Sequence, residues 1–332
     1  MKLKNPSRRD MLITSAGTLL AAVDSPVHSQ IIDNSKLVKV LVGFPAGQAT
    51  DMVTRVLVEK LRSVTGDNYL VDNRPGQGGS LALGQLAKSP ANGSVMMIAH
   101  MSAVATNPHI YKSVPYDSNK DFEAVGLIGD LPFVLVCNPN LPIRSIKDLI
   151  AYAKANPDKL NNASSGNGTV SHLTMEEFKR KAGISMTHIP YKGSVSGLTD
   201  VMSGNVSLAL ETASTVQAHV EAGRLRAIAV GSSKRLGGVL ANVPTMIEQG
   251  FSDFNAVTWL MLLYPSGTPK ELIKNTHKAL NSVLGQSSTE QKLLSLGLLP
   301  RTSASPEDAA TYLHSELKSW GEIVSRSGLE KE

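Results

Sequence analysis

Cysteine is almost absent: Cys137 stands alone in 332 residues, within an apolar run. An internal disulfide and a cysteine zinc site are both excluded, and the residue is expected to be a small buried hydrophobe. Aromatic residues make up 5% of the chain, and the formal charge is only +5. Lys2, Lys4, Arg8 and Arg9 against Asp10 and Asp24 account for +2 of that charge. The rest is a thin, dispersed excess, which argues against nucleic acid as a partner. After residue 23 no apolar run approaches the ~20 residues that cross a bilayer. Chemical motifs are missing too. There is no Gly-x-x-x-x-Gly-Lys run, and neither Gly76-Gln-Gly78 nor Gly166-Asn-Gly168 extends to Gly-x-Gly-x-x-Gly. Gly193-Ser-Val-Ser-Gly197 has Val195 where a hydrolase elbow needs serine. The histidines at 100, 109, 172, 188, 219, 277 and 314 show no pair at metal-ligand spacing. The expectation is a chain that is not an enzyme and uses no cofactor or metal.

What is present is ordinary for a soluble globular protein, with 42% hydrophobic and 18% charged residues. The length exceeds what one core usually supports, so two domains are expected. Residues 1–29 read as an export signal. A basic start carrying the twin-arginine-like Ser7-Arg8-Arg9-Asp-Met-Leu12 precedes an apolar stretch, residues 11–23, too short to anchor the chain securely. Val27-His-Ser29 offers a small-residue cleavage site, so the mature chain is expected to begin near Gln30 and to be periplasmic.

Strands and helices then alternate, the signature of an α/β fold with mostly parallel sheets. The opening unit sets the pattern. Val40, Leu41 and Val42 form a strand that breaks at Gly43, Pro45 and Gly47 and restarts as a helix capped by Thr50 or Asp51. Such a turn aims backbone N–H groups and a helix dipole at an anion, and no Lys or Arg stands in it. Later units include apolar pieces at residues 124–128 and 134–136 broken by Gly129-Asp-Leu-Pro132, a helix over residues 243–249, and capped helices after Thr268 and Ser305. Ligands of parallel sheets lie beyond the carboxyl ends of the strands. That rule selects five loops as candidates. They carry Pro45, Ala46, Gly47, Gln48, Ala49, Thr50 and Asp51; His100, Met101 and Ser102; Ser164, Ser165, Gly166, Asn167, Gly168 and Thr169; Lys192 and Gly193; and Glu211 and Thr212. The glycine-rich loop at 73–80 is read as structural, its glycines serving backbone conformation and close packing.

An ordered set of short motifs runs through the chain: Val42-Gly-Phe-Pro-Ala-Gly-Gln-Ala-Thr-Asp51, Asp72-Asn-Arg-Pro-Gly-Gln-Gly-Gly79, Asn107-Pro108, Val114-Pro-Tyr-Asp117, Ser164-Ser-Gly-Asn-Gly168 with His172, Ile189-Pro-Tyr-Lys-Gly193, Gly223-Arg-Leu-Arg-Ala-Ile-Ala-Val230, Asn242-Val-Pro-Thr245 and Pro265-Ser-Gly-Thr-Pro269. This set resembles the tripartite tricarboxylate transporter receptor (Bug) family of periplasmic solute-binding proteins, over the whole mature chain. The resemblance implies a two-lobed, type II periplasmic-binding (Venus flytrap) fold that closes on a small carboxylate and delivers it to membrane transporter subunits, with a monomer expected. Together with the change of strand pattern it puts hinges near residues 129–132 and 257–259. Residues 36–130 plus 258–332 then form one lobe and 131–257 the other. Two positions depart from the family pattern. Gln48 stands where a second glycine is usual, and Glu211-Thr212 where Asp-Asn is frequent. An ionised Glu211 facing the cleft is expected to repel a second carboxylate on the ligand; pointing to solvent or bonding to Lys192 is the alternative. A periplasmic sensor of the same fold and a secreted hydrolase or isomerase using the cleft remain alternatives, the last needing a nucleophile–base pair that the sequence does not display.

Overall fold

The computed structural model describes residues 36–191, 193–252, 254–327 and 331. The expected export signal, its cleavage site near Gln30 and the candidate ligand residue Lys192 lie outside the described residues. The elements run β1 (Leu37–Val42), α1 (Ala49–Thr65), β2 (Asn68–Asn73), α2 (Ser80–Ala87), β3 (Val95–His100), a π-helical turn (Ser102–Thr106) leading into α3 (Asn107–Ile110), β4 (Phe122–Cys137) and α4 (Ile146–Ala155). They continue with β5 (Asn161–Ser164), α5 (Val170–Ala182), β6 (Thr187–Pro190), α6 (Ser194–Ser203), β7 (Leu208–Thr212), α7 (Ala213–Glu221) and β8 (Arg226–Val230). The last are β9 (Val257–Pro265), α8 (Lys270–Leu284), α9 (Ser287–Ser295), β10 (Leu299–Pro300) and α10 (Pro306–Ser327). Among the described residues no helix is long and apolar enough to cross a membrane.

The strands line up as β2-β1-β3-β9-β4-β7-β5-β6, with β10 and β8 each added to β4. Two half-sheets share one strand. Residues 122–132 of β4 pair with β9, and residues 133–137 pair with β7 and β8. Parallel pairing is confined to the outer strands, β2-β1-β3 in one half and β6-β5-β7 in the other. The centre is antiparallel, because β4 and β9 carry the chain in opposite directions.

Two sequence expectations are corrected. Residues 129–132 do not break the strand: Gly129, Asp130, Leu131 and Pro132 pair with Leu260, Trp259, Thr258 and Val257. Bulges between Ala124 and Gly126 and between Leu127 and Gly129 absorb the irregularity. Asp130 is tolerated there because the Arg301 guanidinium lies 3.5 Å from its carboxylate. Residues 243–249 form turns rather than a helix. Thr245 and Glu248 cap each other, Thr245 N–H donating to Glu248 Oε2 at 2.7 Å and Glu248 N–H to Thr245 Oγ1 at 3.0 Å. Gly250, with φ +96°, then turns the chain away after a single turn.

The period-2 alternation of the strands sorts their side chains into separate cores. Val40, Met96 and Ile98 face one way and pack with Val53, Leu57 and Leu61 of α1 and Leu280 of α8. Leu41, Met97 and Ala99 face the other way, into a cluster that continues through Phe133, Leu135 and Cys137 of β4 to Phe178 of α5. Cys137 is therefore the buried hydrophobe expected. Ala309, Leu313, Trp320 and Val324 on one face of α10 cover this shared cluster. Val134 and Val136 face a third core with Val216, Leu225 and Val230. Trp259, wholly buried, ties β9 to α10 by donating from Nε1 to Glu316 Oε2 at 2.8 Å.

The loops after β1 and β2 meet backbone to backbone. A Cβ on Gly43 would lie 2.5 Å from the Gly79 Cα, and Gly79 itself has φ +98°. Gly43→Ala is therefore expected to lower stability by about 1–3 kcal/mol through overpacking that no rotamer can relieve. An unchanged urea midpoint would show that the two loops part without cost.

Candidate functional site

Strand register brings the candidate loops together. His100, the last residue of β3, lies opposite Leu260 of β9, which lies opposite Gly129 of β4. Thr212, the last residue of β7, lies opposite Phe133 of β4. β3 runs with β4 and β7 runs against it, so the carboxyl ends of the two half-sheets point at each other. They are separated by the four-residue step from 129 to 133, about 13 Å of strand. The first edge carries the loops after β1, β2 and β3, and the second those after β5, β6 and β7.

On the first edge, Pro45, Ala46, Gly47 and Gln48 are exposed, Ala49 is half-buried, and Thr50 and Asp51 are buried. Gln48, not Thr50 or Asp51, is the N-cap of α1, and its side chain makes no capping bond. Asp51 braces the turn from beneath. Its Oδ2 accepts from Gly47 N–H at 2.8 Å and Arg55 Nε at 3.0 Å, and its Oδ1 from Asn73 Nδ2 at 3.0 Å. Burial alone would push this carboxyl up, but those bonds and the Arg55 charge together hold it below the usual aspartate range. The Gly47 amide is thus engaged internally, and the outward donors are the first-turn amides of α1, which precede the first helical bond from Met52 N–H to Gln48 O. Asn73 also donates to Phe44 O at 2.9 Å. Asn73 and Phe44 are not among the candidate ligand residues, although both lie within the ordered motifs of the sequence.

The expected loop at 100–103 is instead a strand passing directly into a π-helical turn. Met101 is fully buried in the shared core, so only its backbone reaches the edge. Ser102 N–H donates to His100 Nδ1 at 3.1 Å, which leaves the ring proton on Nε2 to donate to Thr258 Oγ1 at 3.1 Å. Ser102 Oγ reaches Gly78 O at 3.0 Å, so the 73–80 loop is stitched to the edge. Burial pushes His100 down to about 4, and the imidazole is neutral near pH 7.

On the second edge Ser164 and Gly168 are buried, Ser165, Gly166 and Thr169 are half-buried, and Asn167 is exposed. A Cβ on Gly168 (φ +67°) would run into Ile110 of α3 at 2.7 Å, so this loop abuts the first half. Thr169 caps α5 and donates from Oγ1 to Gly166 O at 2.7 Å. Gly193 N–H donates to Ser165 O at 3.2 Å. Thr212 stands at the N-cap position of α7 without a capping bond, its hydroxyl among those of Ser214 and Thr215. Glu211 neither points to solvent nor faces the cleft directly. It is buried under the loop, where Oε1 accepts from Ser165 Oγ at 2.6 Å and Ser171 Oγ at 3.2 Å. Burial raises it to about 7 despite those two bonds.

Folding also creates pairs that spacing did not show. His172 and His188 stack with ring centroids 3.8 Å apart and planes 8° apart, and Glu176 Oε1 lies 3.7 Å from His172 Nε2. These three offer ligand atoms within 4.8 Å of one another. Nitrogen lone pairs lie in the ring planes, however, and two nearly parallel planes cannot aim them at one ion. The Lys179 ammonium, 2.6 Å from Glu176, already occupies that carboxylate. His188 Nε2 lies 2.6 Å from Ser164 Oγ, a nucleophile–base spacing absent from the sequence reading. Ser164 is 1% exposed and its hydroxyl is also bonded within its own turn, to Gly166.

The model of the tripartite tricarboxylate transporter family receptor matches residues 53–329. The chain belongs to this receptor family. BugT of Bordetella pertussis is 32% identical over 309 residues, which cover 93% of the receptor described here and 94% of BugT. Among solved structures, R. palustris Rpa4515 with adipate superposes with a TM-score of 0.81 at 32% identity, covering 90% of this receptor and 99% of that chain. The periplasmic binding protein BugD gives 0.78 at 30% identity with the same coverage. MatC from Rhodopseudomonas palustris with bound malate gives 0.75 at 25% identity, covering 87% and 99%. The two-lobed periplasmic-binding fold expected for this receptor is the fold of these neighbours, and the family is one of periplasmic solute-binding receptors.

Asp51→Ala would strip the Gly47 amide, Arg55 and Asn73 of their shared acceptor, and is expected to cost about 1–3 kcal/mol at pH 7. A carboxyl held low in the folded state stabilises above its unfolded pKa and loses that contribution as pH falls through the folded value. The gap between parent and variant in urea denaturation should therefore close below about pH 4; a gap that persists there would assign the effect to packing.

Proposed function

We propose that this receptor captures a small carboxylate between its two half-sheets in the periplasm and delivers it to the membrane subunits of a tripartite transporter. The observation that carries the reading is the convergence of both carboxyl-terminal edges on residues 129–133. Adipate and malate in the similar structures support the ligand class. The lobes would be residues 36–130 plus 258–332 and residues 131–257, flexing where β4 and β9 cross. The ligand would rest against the first-turn amides of α1 near Gln48, Ala49 and Thr50 and the edge formed by His100 and Ser102. From the other side it would meet Ser165, Gly166, Asn167, Thr169, Gly193, Thr212 and, outside the described residues, Lys192. Backbone amides and hydroxyls in a closing cleft can hold an anion without an arginine clamp. Gly47 and Asp51 shape the turn rather than touch the ligand. The role assigned to the site is binding and not turnover; among the described residues Ser164 of the Ser164–His188 pair is buried.

A thermal-shift screen of carboxylates tests the ligand class. At a hundredfold excess over Kd a ligand adds about 2.7 kcal/mol, a rise of about 5 °C for a protein of this size. Adipate or malate is expected to give such a rise, and a flat response across mono-, di- and tricarboxylates would remove the reading. Gln48→Glu and Asn167→Asp place a new charge on each edge at exposed positions, so stability should change by about 0.5 kcal/mol or less. Each is expected to weaken binding about tenfold or more, because a like charge within a few ångströms costs over 1 kcal/mol. A loss from one variant alone would put the ligand on one edge instead of between two.

A further inference from the structure

Glu211 is a buried carboxyl with no cation bonded to it among the described residues. Its cross-strand neighbour on β4 is the apolar Val134. The surrounding elements bring His172, Glu176 and Lys179 on α5, His188 on β6, Asp200 on α6, and His219 and Glu221 at the end of α7. Glu176 is committed to Lys179, and Asp200 to the Tyr191 hydroxyl. His172 and His188 are kept neutral near pH 7, in both cases chiefly by burial. What Glu211 does hold is the hydroxyl proton of Ser165, and Ser171 bridges the two: its Oγ accepts Ser165 N–H at 3.1 Å and donates to the same Glu211 oxygen at 3.2 Å.

A serine hydroxyl has one proton to donate. While Glu211 is ionised, that proton points inward, and Ser165 turns only lone pairs toward the cleft. Such a surface repels a carboxylate and suits a ligand N–H or O–H. When Glu211 takes a proton from solvent, its own O–H donates to Ser165 Oγ, and the freed serine proton swings outward to an anion. We infer that Glu211 is a positioning residue that sets which end of a ligand Ser165 accepts, and that seating a carboxylate there is coupled to uptake of one solvent proton by Glu211. This rests on the carboxylate-binding reading given above. The burial that brings the group to about 7 places the exchange in the physiological range.

Calorimetric titration with adipate, in buffers of different ionisation heat between about pH 6.5 and 8.5, reads the coupling directly. Affinity is expected to fall about tenfold for each pH unit once Glu211 is ionised, with close to one proton taken up per adipate at the alkaline end. Glu211→Gln, whose amide donates permanently to Ser165, should bind adipate with no proton uptake and a flat pH profile. Ser165→Ala should bind more weakly than the parent at the acid end and also lose the slope, which keeps the test open if the glutamine variant folds poorly. Pure structural support would instead leave the parent slope in both variants, and that result overturns the inference. So does a parent that binds adipate with pH-independent affinity and no proton uptake, and this outcome leaves the carboxylate reading standing. If neither adipate nor malate binds the parent at any pH, the carboxylate reading fails and the coupling with it.

Discussion

One strand, β4, holds the molecule in register. Its first eleven residues belong to one half-sheet and its last five to the other, so the relative height of every loop on both edges is fixed by backbone hydrogen bonds along a single chain segment. A one-residue slip at this strand would turn Phe133, Leu135 and Cys137 out of the shared core and Val134 and Val136 into it. The step between the two edges is therefore protected by the hydrophobic cores on both faces. Bending is permitted where sliding is not, because the bulges at 124–129 already interrupt the ladder there.

The two edges are built on the same plan with opposite electrostatics. Each has a loop carried by a buried carboxylate, Asp51 under the first and Glu211 under the second. Asp51 has Arg55 at 3.0 Å and is locked in its charged form. Glu211 has two hydroxyls and no cation bonded among the described residues, so desolvation dominates. One edge keeps a fixed pattern of donors while the pattern of the other depends on a proton.

Much of this was legible in the sequence because it follows from local pattern. The strand–turn–helix opening and the Ser305 cap with its helix depend on residues within a few positions of one another, and each formed. The glycines of the 73–80 loop were read as serving close packing, and Gly79 meets Gly43 as such a role requires. The misreadings needed distant partners. Asp130 reads as a strand breaker until Arg301 arrives from far along the chain. His172 and His188 look isolated until β5 and β6 pair and bring them face to face. Met101 reads as a loop residue because nothing local announces that the helix starts with π geometry and turns its side chain inward. Glu211 was placed at the correct strand end, but its burial beneath Ser165 is set by the packing of α5 on β7, which spacing does not encode.

The half-sheet begun by β1, β2 and β3 is finished by β9, and the core it shares is roofed by α10. While the chain is being synthesised, β3 therefore emerges with one edge unsatisfied, and its apolar side chains wait uncovered through the production of the entire second half. The first-made third of the chain therefore cannot complete its native sheet and core ahead of the last-made one. The connectivity makes β1, β2 and β3 wait for β9 and α10, so the final compaction draws early and late segments of the chain together.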